Sequence, residues 1–204
     1  MAELGKIEKP SAESVAGKRK LYCVPSVYPV EEAPEEYGEL VQRYWDEVMD
    51  QLDRMEQAGR IRKIFCENIF TSGPEALEVM GKINERALQL IKKKIEAGAE
   101  LFPIESEDIF GPFLDWRSCL SVVRTRDVAS KVFGFYREVA EKRISRILDI
   151  VDKSLAEGEA GLLMMADEDR MKLQFPQDIE VFLVTPRSYD DLMRWLRDRA
   201  ETGA

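Results

Sequence analysis

Short apolar runs alternate with long amphipathic stretches along almost the whole chain, and that alternation constrains the fold more than any single motif does. The run from Leu21 through Val24 and on to Tyr28 is nearly continuous in apolar residues, as a strand covered on both faces requires. Residues 35–57 then follow helical spacing, with Leu40, Val41, Tyr44, Trp45, Val48, Leu52 and Met55 on one stripe. A second strand is predicted at 61–66, and a single helix from Gly73-Pro74 to Gly98. A weaker third strand falls at 99–104, where Pro103 favours an edge or an end. Residues 105–125 read as short helix and turn, and a long helix runs from 126 to about Leu155. Strands at 162–166 and 179–184 follow, and a helix beginning at Pro186 or Ser188 closes the pattern near Arg199.

Linkers of this length between strands imply crossovers, which connect parallel strands and place helices on both sides of a sheet. The expected fold is therefore α/β: a helix-sheet-helix sandwich with a mostly parallel sheet of about five strands and a long helix before strand four. A chain of 204 residues suits one domain, here 18–204. The polar stretch 1–17 reads as an extended or flexible N-terminal arm that could pack on a partner subunit.

The chain contains no histidine. That removes Ser-His-Asp and Cys-His arrangements and the His-rich zinc sites, and leaves carboxylate, Arg, Lys, Tyr and Ser/Thr for polar chemistry. No GxGxxG, GxxxxGK[ST] or GxSxG motif occurs. A net charge of −9 argues against nonspecific nucleic-acid binding. The basic runs Lys18-Arg19-Lys20 and Lys92-Lys93-Lys94 read as solvated faces. No apolar run is long enough to span a membrane. Cys23, Cys66 and Cys119 lack CxxC spacing and read as free thiols, two of them buried, in a reducing cytoplasmic setting. Trp45, Trp116 and Trp195 read as core or subunit-contact residues.

In open parallel sheets, ligands bind beyond the carboxyl ends of the strands. Strand one runs out through Ser26 and Tyr28, strand two into Glu67, strand three into Glu105, and strand four into Asp167-Glu168-Asp169-Arg170. Converging carboxylates need a cation, a proton or an Arg partner. Mg²⁺, Mn²⁺ or Ca²⁺ would suit an all-oxygen site built from Glu67, Glu105 and Asp169, and Arg143 of the long helix is the competing counter-charge. Glu67 and Asp169 are the candidate catalytic carboxylates, with Tyr28, Glu105, Arg143 and Arg170 as candidate ligand contacts. The same acids also fit ordinary loop solvation and helix capping, above all Glu105 through Asp108 before the next helix.

Over residues 18–185 these positions together resemble a group of small prokaryotic proteins allied to the TraB/Tiki, ChaN-like and erythromycin-esterase-like proteins. The resemblance lies in Lys20 to Pro25, in Glu67 with Gly73, and in Gly98-Ala99 with Glu105. It continues in Lys142-Arg143, in the turn Glu157 to Gly161, and in Asp178-Ile179-Glu180-Val181 after Pro176. Where that pattern carries two histidines, this chain has Tyr28 and Asp169. The resemblance implies hydrolase-like proteins, some metal-dependent, or haem binders, all leaning on the missing imidazoles. It therefore points to a divergent member without His-dependent catalysis, whose acidic strand-end cleft takes a small ligand or a hard metal ion. The alternative is a non-catalytic, homo-oligomeric binding or assembly protein. Asp169 could still act as a base if burial raised its pKa, and Tyr28 could donate a hydrogen bond.

Overall fold

The computed structural model describes residues 17–30 and 32–202, so the expected N-terminal arm lies outside the described residues but for Gly17. Five strands form one sheet in the order β3-β2-β4-β1-β5: β1 Arg19–Pro25, β2 Ile61–Cys66, β3 Glu100–Pro103, β4 Ala160–Met165 and β5 Ile179–Leu183. Every neighbouring pair is parallel. The helices are α1 Glu35–Met55, α2 Pro74–Ile83, α3 Glu85–Glu96, α4 Glu107–Val122, α5 Arg126–Ser154, α6 Asp167–Arg170 and α7 Arg187–Thr202. The α/β sandwich with a parallel sheet is thus the fold of this chain.

Alternation along the strands divides the core in two. Tyr22 and Val24 of β1, Ile64 and Cys66 of β2, and Leu162 and Met164 of β4 face α1, α3 and α7, where Trp45, Leu52, Leu90, Ile91 and Leu192 meet them. Leu21, Cys23, Phe65, Leu163 and Met165 face the other way, onto Ile147 and Val151 of α5. Central strands β1 and β4 are buried on both sides, which is why they read as unbroken apolar runs.

The steps β1 to β2 and β2 to β3 travel in one direction across the sheet with their helices on the first face. The steps β3 to β4 and β4 to β5 travel back, with α5 and Leu173 on the second face. Right-handed crossovers require this change of face when direction reverses. At β3, β2 and β4 the chain consequently leaves adjacent strand ends toward opposite sides, the condition that opens a crevice at a parallel sheet's carboxyl edge.

Three expectations need correction. The helix predicted between Gly73 and Gly98 is two helices, because Asn84 is extended (φ −158°) and caps α3 by accepting from the Ala87 N–H at 3.1 Å. Its amide also donates to the Val27 carbonyl at 2.7 Å, a buried bond that holds the break in place. Residues 105–125 are mostly one helix, α4, which continues through Pro112. Finally, the basic runs are not merely solvated faces. Lys94 is buried and pairs with Asp53 at 2.9 Å and Glu56 at 2.6 Å, and Arg19 joins Asp152 and Asp178 at 2.6 and 2.7 Å.

Candidate functional site

Arg143 stands at the centre of the strand-end crevice. It lies one turn before Ile147, where α5 passes the carboxyl ends of the strands, and only 3 % of it is exposed. Three acids reach it from three successive strand ends. The Arg143 Nε and Nη2 donate to Glu105 at 3.1 and 2.6 Å, and Nη1 donates to Asp169 Oδ2 at 2.6 Å. Glu67 Oε2 stands 3.7 Å from Nη2, an ion pair without a direct hydrogen bond. The guanidinium also faces the rings of Phe110 and Phe113 on α4, 5.0 and 4.6 Å from the centroids.

Around this centre the polar partners continue. Glu67, at the end of β2, accepts from the Tyr28 hydroxyl at 2.7 Å, and from Ser26 and the Ala166 N–H. Asn68 donates to the Tyr28 oxygen at 2.8 Å, which completes a relay Asn68–Tyr28–Glu67. Asn68 holds φ 63°, a left-handed conformation that Asn tolerates better than most side chains. On the far side, Lys172 donates to Asp169 Oδ1 at 2.8 Å.

Glu67 and Asp169 differ in acidity for physical reasons. Burial pushes the Glu67 pKa up, and the Ala166 N–H, Tyr28 and Arg143 offset that push only in part. Burial also acts to raise Asp169, but Lys172 and Arg143 outweigh it and hold Asp169 below its ordinary value. Burial likewise works against the charge of Arg143, yet the hydrogen bonds and charges of Glu105 and Asp169 hold its pKa above the usual value. Tyr28 is pushed well up by burial and by the neighbouring Glu67. With every group ionised, three acids would face Arg143 and Lys172 with one negative charge in excess.

These directions revise the sequence-based roles. Glu67, Glu105, Asp169, Arg143 and Tyr28 do converge. The carboxylates enclose a guanidinium, however, and Arg143 occupies the place a metal ion would take. Among the described residues no three acid or thiol side chains are arranged to hold a cation. Asp169 is ion-paired with a lowered pKa, so it is not a base tuned upward. Glu105 and Arg143 are engaged with each other rather than offered to a ligand. Arg170 turns away from the cluster and pairs with Asp167 at 2.7 Å.

Sequence reasoning missed Asn68, Lys172, Phe110 and Phe113. The pair Phe110/Phe113 carried a readable signal, since residues three apart share a helix face. Reading 105–125 as irregular concealed it.

A groove of about 540 Å³ opens beside this cluster, lined by Asn68, Phe70, Val79, Ile83, Glu107, Phe110, Gly111 and Leu114. It runs between α2 and α4, and two of its lining residues belong to the cluster's own shell: Asn68 of the relay and Phe110 over Arg143. The space directly against Arg143 and Asp169 is only about 10 Å³, room for a single water at most. The chain matches no family model, no curated protein and no solved structure.

Proposed function

We propose that this protein is a small-ligand-binding domain whose ligand lies in the groove between α2 and α4, over the strand ends. The observation that carries this reading is the contact of a largely apolar groove of about 540 Å³ with a polar relay, through Asn68. A volume of that order with few convergent polar groups is the usual form of a small-molecule site. Phe70, Val79, Ile83, Phe110 and Leu114 would cover an apolar body. The polar end of the ligand would meet Asn68, with Glu107 at the wall and the Tyr28–Glu67 pair behind.

Charge favours a donor or ammonium head. Arg143 and Lys172 are already committed to Glu105 and Asp169, so the charge in excess around the relay is negative. This binding role does not call on imidazole chemistry. The resemblance to the TraB/Tiki and ChaN-like group belongs to the same reading: the two positions where histidine is replaced, Tyr28 and Asp169, both touch the Glu67–Arg143–Glu105 cluster, which supports a retained scaffold with a changed task.

The test uses 1-naphthylmethylamine and its anionic counterpart 1-naphthoic acid, followed by amide chemical shifts. The amine is expected to shift Asn68, Val79 and Leu114, and to bind about tenfold tighter than the acid, a difference of about 1.4 kcal/mol. Filling the groove by Val79→Trp should abolish both effects. Equal binding of the acid, or shifts confined to other surfaces, would overturn the reading.

A further inference from the structure

The helix α5 is far longer than the strands it covers. Its last twelve residues, 143–154, carry Arg143, Ile147 and Val151 onto the sheet. The remaining seventeen, 126–142, continue past the strand ends for about 25 Å at 1.5 Å per residue. Helix α4 packs back along this extension, with Phe113 against Tyr136 at 5.5 Å and Trp116 stacked on Phe135 at 4.9 Å. Among the described residues this two-helix layer has no second layer over its outer face.

That outer face is apolar. Phe135 is 51 % and Val128 48 % exposed, and they lie seven residues apart, on one side of α5. A groove of about 620 Å³ runs along the adjoining side of α4 at Pro112, Trp116 and Cys119, with Asp115 and Ser118 also on its wall. We infer that this face is covered by the same face of a second copy, the two helical hairpins running antiparallel to form a four-helix bundle.

Charge supports that occupant and that direction. Although the chain carries −9, the hairpin 107–142 holds six basic and six acidic side chains, and they are unevenly placed. Its outer half has Arg117, Arg124, Arg126 and Lys131 against Asp115 and Asp127. Its inner half has Glu107, Asp108, Glu138 and Glu141 against Arg137 and Lys142. Antiparallel pairing about a two-fold axis lays the basic end of each hairpin on the acidic end of the other. Lys131 and Glu138 lie three residues beyond Val128 and Phe135, so they flank the apolar face, and a two-fold axis at residues 134–135 sets Lys131 of one copy beside Glu138 of the other. Glu138 also accepts from Lys142 of its own helix at 2.8 Å.

The area suffices as well. A face two helices wide and about 24 Å long covers roughly 500 Å² on each copy, or about 1,000 Å² in total, the lower bound for a specific interface. This interface is independent of the ligand reading.

Analytical ultracentrifugation of the full chain tests it. The wild type should sediment at twice the mass of one chain. Phe135→Glu, with helical content unchanged by circular dichroism, should weaken dimerisation at least tenfold. Lys131→Glu should weaken it too, and adding Glu138→Lys to the same chain should restore it. A wild type at single-chain mass over a hundredfold concentration range would overturn the inference, as would undiminished association of Phe135→Glu. Failure of the double charge reversal to restore the dimer would overturn the antiparallel arrangement. Sedimentation of single chains with phosphatidylserine vesicles would give the face to a membrane surface instead.

Discussion

At Glu67 burial outweighs the hydrogen bonds and the charge of Arg143, and this sets a pH dependence of definite sign. Its pKa is raised in the folded state, so the folded protein holds a proton that the unfolded chain releases. Its contribution to stability therefore falls as pH rises from the ordinary carboxylate range through the raised value. Asp169 contributes in the opposite sense: its folded pKa is lowered, so stability is lost as pH drops below the ordinary aspartate range. Glu67→Gln should flatten the decline on the alkaline side while leaving the acid limb in place. Urea unfolding across pH measures this, and a Glu67→Gln profile parallel to that of the wild type would contradict the assignment. The three acids were legible from the sequence because a parallel sheet brings successive strand ends to one edge. The opposite shifts of Glu67 and Asp169 were not, since Arg143 donates directly to Asp169 at 2.6 Å and meets Glu67 only at 3.7 Å.

Among the elements, the strands and the long helix were readable because their apolar spacing is strong and their neighbours uniform. β2 and α5 fall within a residue of expectation. The break at Asn84 was not readable, because apolar spacing at Leu77, Met80, Ile83 and Ala87 continues unbroken across it. What ends α2 is a tertiary bond to the Val27 carbonyl, from a residue 57 positions away. Asn84→Ala should therefore cost about 1–3 kcal/mol, from the lost cap together with an unpaired buried carbonyl. The same measurement on an exposed Asn site elsewhere would give far less, and a cost near zero would remove the break from the determinants of the fold. Pro112 misled in the other direction. It suggested a turn, yet the helix continues through it with Phe110 and Phe113 anchored on Arg143.

At the scale of the whole molecule, sheet topology, buried charge and the ligand groove form one construction. The reversal of the chain's path at β3, β2 and β4 opens a crevice, three acids line it, and a single Arg from the long helix closes it. The open volume then lies beside the ion cluster, behind Asn68 and Phe110. That Arg143 is the cation of this site is the claim on which the rest stands. Buried ion pairs lose about 3–5 kcal/mol when one partner is removed, because the other charges stay buried without compensation. The decisive measurement is the unfolding free energy at neutral pH of Arg143→Met, alone and combined with Glu105→Gln and Asp169→Asn. The single variant should lose stability on that scale, and the triple variant should recover a large part of it. A single variant within about 1 kcal/mol of the wild type, or a triple variant that only adds further loss, would contradict a cluster held together by Arg143.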